Sequence, residues 1–219
     1  MKKTLLLFSL AALLFQTSWA QGRFDEEVQT LKAKYDSLRP SLNPDQKTVV
    51  FVGSSSIRMW KNVEEISDQH NIINTGFGGS TAKDLLGYTA PLILDHYPDQ
   101  VFIYEGDNDI FMKESLDRIM RRMRRIVRRI KKYNPDCQIV LISAKPSIAR
   151  WSLKGQYQKL NKRFYRWSKR KKNMAYADVW KPMLNGEELK NDLFIEDNLH
   201  MNDAGYQIWK TVLQPYLIK

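Results

Sequence analysis

The sequence predicts an α/β domain in which a parallel five-stranded sheet is covered by helices on both faces, a three-layer α/β/α arrangement. Three observations point there. Five short β-rich runs alternate with stretches of helical periodicity, a pattern that implies right-handed crossovers between parallel strands. One of those stretches, Arg118 to Lys132, is sharply amphipathic, with an apolar stripe to lay on a sheet. At 219 residues the chain suits one domain and can bury a sizeable core without staples.

The first twenty residues stand apart. Lys2 and Lys3 precede the apolar run Leu5 to Phe15, and Ser18-Trp19-Ala20 places small residues where a signal peptidase reads. The run is short of the roughly 20 apolar residues that a spanning helix needs. The expectation is a cleaved signal over 1–20, a mature chain from Gln21 and an exported protein, periplasmic or extracellular. No cysteine follows the cleavage site to carry a lipid. The single cysteine, Cys137, cannot form an internal disulfide and reads as a small core residue.

Residues 21–46 are expected to form an N-terminal helix and linker, because Phe24, Val28, Leu31, Tyr35 and Leu38 share one helical face and Pro40 and Pro44 end it. The main domain is then 47–219. Its strands are predicted at Thr48–Val52, Ile72–Asn74, Val101–Tyr104, Ile139–Ser143 and Met174–Val179. Helices are predicted at about 57–67, 81–95, 114–132, 155–171 and 203–217. Thr81 and Asp84 make a capping-box pattern at the start of the second of these.

Net charge is +11, and two stretches hold much of the excess. Arginines fill the outer face of the helix from Arg118 to Lys132. That face is either simply solvated or a peripheral contact with an anionic envelope surface. Lys162 to Lys172 interleaves Phe164, Tyr165 and Trp167, which is the spacing of a helix packing its apolar stripe; no nucleic-acid partner is expected.

In such sheets ligands bind beyond the carboxyl ends of the strands, so the strand-to-helix turns carry the search for chemistry. In the first turn, Gly53-Ser54-Ser55-Ser56, a serine would stand exposed beside free backbone N–H groups; serines also cap helices routinely. The second, Gly76-Phe77-Gly78-Gly79, lets the backbone approach a ligand, or is only a tight turn. It lacks the endings of a phosphate loop.

The third turn, Glu105-Gly106-Asp107-Asn108-Asp109, offers an amide donor in Asn108; its acids lack the spacing of a calcium loop. In the fourth, Asp197 stands three residues before His200, where a carboxylate can hold the ring by Nδ1–H and leave Nε2 to take a serine proton. His70 and His96 read as structural. Lys145 and Arg150, after strand four, either line a groove or shape their loop.

Together and in this order, the four turns resemble the SGNH, or GDSL-type, hydrolases over about residues 47–217. The resemblance implies a flavodoxin-like strand order 2-1-3-4-5, Ser55 as nucleophile, and Asp197 and His200 completing a triad. It implies an oxyanion hole from Ser55, Gly79 and Asn108, with no cofactor and no metal. Gly-Asp-Ser, usual in the family, is Gly53-Ser54-Ser55 here, a variant similar to bacterial relatives of platelet-activating-factor acetylhydrolase. An α/β-hydrolase elbow would need glycine where Ile57 stands.

The expected reaction is hydrolysis of a short acyl ester, acetyl above all, on a small ester or acylated glycan. The connections are short and offer no segment for a lid over a long chain. Rival readings are a lysophospholipase or short-chain lipid esterase, an O-acyl transferase, and an inactive envelope-binding module.

Overall fold

A computed structural model describes residues 22–219; the expected signal over 1–20, and Gln21 after it, lie outside the described residues. The chain forms one five-stranded parallel sheet in the order β2-β1-β3-β4-β5. Its strands are β1 Lys47–Gly53, β2 His70–Asn74, β3 Gln100–Tyr104, β4 Gln138–Ile142 and β5 Met174–Ala177. Central strands must be apolar on both faces, and Val49, Val50, Phe51 and Val52 of β1 and all of β3 are buried. β1 pairs Val50 with Ile73 on one side and with Val101 on the other.

Helices α1 Asp25–Leu38, α3 Ala82–Gly87, α6 Leu116–Tyr133 and α7 Lys154–Ser168 cover one face of the sheet. The short α2 Ser55–Arg58 and the long α8 Asp203–Leu213 cover the other, through Ile57, Trp209 and Leu213. This is the expected three-layer architecture. The Arg-rich stretch is helical for a legible reason. Ser115 caps its N-terminus, and Ile119, Met120, Met123, Ile126, Val127 and Ile130 bury one stripe, each large apolar side chain contributing about 1.5–3 kcal/mol.

Two predicted helices are broken. The stretch expected at 57–67 is one turn of α2 followed by a 3₁₀ turn over Val63–Ile66, because Asn74 draws the carbonyls of Ile57 and Trp60 to its own amide. The stretch expected at 81–95 is α3, a four-residue helix α4 Thr89–Leu92 and a 3₁₀ turn over Leu94–His96. Gly87 ends its first piece and Pro91 sits in the second. The capping box forms as the sequence suggests, from Thr81 and Asp84.

The last helix stops at Leu213, where Pro215 turns the chain into a 3₁₀ turn. β5 ends at Ala177 rather than Val179, whose N–H turns to the Ser143 hydroxyl. A helical turn α5, Asp107–Phe111, and a hairpin of β6 Leu184–Asn185 with β7 Glu188–Leu189 were not predicted. No helix among the described residues is long and apolar enough to cross a membrane.

Candidate active site

The four turns meet at the carboxyl edge of the sheet; backbone hydrogen bonds tie the first three together, and the fourth reaches the first through the side chains of His200 and Ser55. Ser54 N–H donates to the Tyr104 carbonyl at 3.2 Å, fastening the first turn to the third, and Phe77 N–H donates to Gly53 at 2.9 Å, fastening the second to the first. Gly53 has φ +143°, and a Cβ there would stand 2.0 Å from the Tyr104 carbonyl oxygen. Only glycine lets β1 release the chain at this point.

Ser55 opens α2 half-buried, while Ser54 and Ser56 are buried at 2% and 3% exposure, so only the middle serine can meet a substrate. The Ser55 hydroxyl lies 2.8 Å from His200 Nε2, and His200 Nδ1 lies 2.5 Å from Asp197 Oδ2. The other oxygen of Asp197 accepts the backbone N–H groups of Leu199 and His200 at 2.9 and 2.8 Å. Burial pushes this carboxyl up, but the His200 ring and those backbone donors outweigh it and hold Asp197 down at about 2.

Asn108 lies in α5, and its amide is fixed at both ends. Nδ2 donates to the Ser80 carbonyl at 2.9 Å, and Arg150 donates to Oδ1 at 3.0 Å. The first contact leaves the second Nδ2–H of the amide for another acceptor. Ser80 adjoins Gly79, whose φ of +69° is the left-handed turn that sets its peptide. Neither Ser55 N–H nor Gly79 N–H finds a backbone partner among the described residues. The five residues singled out in the sequence, Ser55, Gly79, Asn108, Asp197 and His200, thus stand on turns brought to one edge.

The three acids of the third turn diverge. Buried Glu105 accepts from the Ser80 hydroxyl at 2.7 Å, and burial, together with the nearby Asp109, pushes its carboxyl far above the usual range. Asp107 takes the Tyr104 and Tyr157 hydroxyls at 2.8 and 2.6 Å and an ion pair from Arg150. Burial opposes its charge, yet Arg150, Lys145 and the two phenols hold it below the ordinary value. Asp109 accepts Ala82 N–H and faces Arg122. Burial raises it to about 6. The acids serve as anchors for separate neighbours and do not converge on one point.

Further residues shape the site from far along the chain. Lys145, 2% exposed, donates to the Leu199 carbonyl at 2.5 Å and so ties β4 to the loop carrying His200. Glu27 of α1 takes the Gly78 N–H with both oxygens, at 3.0 and 3.1 Å, and pairs with Arg58. Of the two readings open for Lys145 and Arg150, the geometry supports loop shaping. Glu27 left no signal in the sequence. His70 bridges the Ser67 hydroxyl and the Ile218 carbonyl, and His96 packs edge-on against Tyr35, so both other histidines are tied into structure.

Residues 51–208 match the GDSL-like lipase/acylhydrolase family. No curated protein matches the chain closely enough to count as a relative. Among solved structures the fold is similar to that of a candidate platelet activating factor from Streptococcus pneumonia, at 20% identity and a TM-score of 0.76, over 88% of this chain and 94% of that one. It is similar to a GDSL-like lipase from Bacteroides thetaiotaomicron, at 20% identity and a TM-score of 0.70, over 84% and 96%. A variant of an acetyl-xylooligosaccharide esterase from Geobacillus Stearmophilus follows at 16% identity and a TM-score of 0.67, over 79% and 95%.

Proposed function

The chain belongs to the GDSL-like lipase/acylhydrolase family and is an ester hydrolase, and on that premise we propose that it removes short acyl groups, acetyl above all, from carbohydrate by way of an acyl-enzyme on Ser55. The observation that carries this is the run of contacts from the Ser55 hydroxyl through His200 to Asp197, at 2.8 and 2.5 Å. Asp197 fixes the ring with Nδ1–H toward itself, so the unprotonated Nε2 faces the serine. His200 takes the Ser55 proton as the oxygen attacks the ester carbonyl and returns it to the leaving alcohol; water then releases the acid by the same steps. The Ser55 and Gly79 N–H groups and the second Nδ2–H of Asn108 hold the oxyanion.

The reading places the protein outside the cytoplasm, on the strength of the sequence pattern at 1–20. Support for a carbohydrate ester comes from the fold it shares with an acetyl-xylooligosaccharide esterase. A fluorophosphonate probe followed by peptide mapping tests the nucleophile. Ser55→Ala is expected to abolish labelling and turnover, while Ser54→Ala and Ser56→Ala keep measurable activity. A probe mapped to Ser54 or Ser56 would overturn the assignment. Measuring products with and without a sugar acceptor separates a hydrolase from an acyl transferase.

A further inference from the structure

Away from the catalytic edge, α6 and α7 run side by side, and each carries arginines at the same spacing. They are Arg121, Arg124 and Arg128 on α6, and Arg163, Arg166 and Arg170 on α7 and the turn that follows it. Steps of three and four residues put each set on one helical face, about 4.5–6 Å apart along the axis. The two sets face each other across a continuous groove. Its upper part is lined by Arg121, Arg163 and Arg166, and its lower part by Arg128 and Lys131, with Arg124 and Trp167 common to both.

Like charges three and four residues apart destabilise a helix, and two facing stripes add to that cost. Counter-charges are few. The lining acids are Asp117 and Asp136; Asp117 pairs with Arg163 at 2.5 Å. Among the described residues, Arg121, Arg124, Arg128, Arg166 and Arg170 make no ion pair. The stripes are therefore complementary to an extended anion that is not part of the chain.

We propose that this groove binds a linear acidic polysaccharide. A concave channel between two helices fits a chain rather than a plane. A bilayer contact would also need apolar side chains to insert, and the apolar stripe of α6 is turned inward. A single strand of nucleic acid needs a row of exposed aromatic faces, and among the described residues half-buried Trp167 is the one aromatic that lines the groove. Arginine takes carboxylate or sulfate in a bidentate grip, and its planar fork suits ring-borne groups held at fixed spacing. Both helices begin at the carboxyl edge of the sheet, so a polymer in the groove has one end on the side that carries Ser55.

Binding of labelled polygalacturonate, measured without ester turnover, tests the groove independently of the proposed acyl chemistry. Polygalacturonate is expected to bind, neutral dextran to fail, and affinity to drop at least about tenfold between about 50 and about 300 mM salt as the charges are screened. Arg124→Gln/Arg166→Gln should weaken binding at least tenfold while p-nitrophenyl acetate turnover stays unchanged. Arg121→Gln/Arg128→Gln repeats the test should the first pair fail to fold. Absence of polygalacturonate binding, equal binding of dextran, or a folded double variant within twofold of the parent overturns the proposal. Tighter binding of phosphatidylglycerol vesicles or of oligothymidylate overturns it in favour of that partner.

Discussion

Asn108 shows how little of a side chain's work is visible in its own position. Its Oδ1 is held by Arg150 and one Nδ2 hydrogen by Ser80, so the amide cannot flip and its remaining hydrogen has a fixed direction. An oxyanion donor acts in the transition state, so Asn108→Ala is expected to lower kcat about a hundred-fold or more with KM little changed. An unaltered kcat in a folded variant would remove Asn108 from the chemistry. If Arg150 acts through Asn108, its loss should matter little once Asn108 is gone. Arg150→Gln alone strands the buried Asp107, a cost of about 3–5 kcal/mol, so the cycle is best run with Asp107→Asn included. Equal falls in kcat with and without the Asn108 side chain would show that Arg150 acts by another route.

The residues that could be read from the sequence are those whose partners lie close by in the chain. Asp197 and His200 are three residues apart, and Gly53 and Ser55 two, so local spacing alone suggests their geometry. Arg150, Lys145 and Glu27 reach partners 42, 54 and 51 residues away, and only the strand order brings them together. Spacing carries no trace of such contacts.

At the scale of elements the same division holds. α6 was legible because six buried side chains repeat along 18 residues. The stretches at 57–67 and 81–95 keep apolar periodicity, but Asn74 and Pro91 impose breaks that periodicity does not register. The loop bearing His200 is held by Lys145, which burial pushes down to about 8, against the pull of Asp107 and Asp197. An unfolded lysine titrates near 10.4. Between those values the unfolded chain binds more protons than the folded one, so this group's contribution to stability rises with pH and is flat below about 8. Relative to Lys145→Met, the wild-type denaturation midpoint is therefore expected to climb between about pH 8 and pH 10. A constant difference over that window would mean that Lys145 stays charged in the fold.

On the whole molecule, two sizeable hollows are open among the described residues. One of about 740 Å³ sits between α6 and α7, and another of about 800 Å³ between α2 and α8; Ser55, Asn108 and His200 line neither. A long acyl chain gains about 0.8 kcal/mol for each methylene it buries, roughly a fourfold rise in kcat/KM per carbon when the enzyme supplies an apolar chamber. The walls around Ser55 described above are instead the polar turns carrying Gly79, Asn108 and His200. An acyl group that projects past them meets solvent and gains nothing with length, while its added bulk must still be accommodated. Activity on p-nitrophenyl esters is therefore expected to peak at acetyl or propionyl and to fall by octanoyl. A steady rise from acetyl to decanoyl would reject the acetyl-ester reading and favour a lysophospholipase, with the acyl chain lying along a surface such as the exposed Phe111 and Met112 beside Asn108.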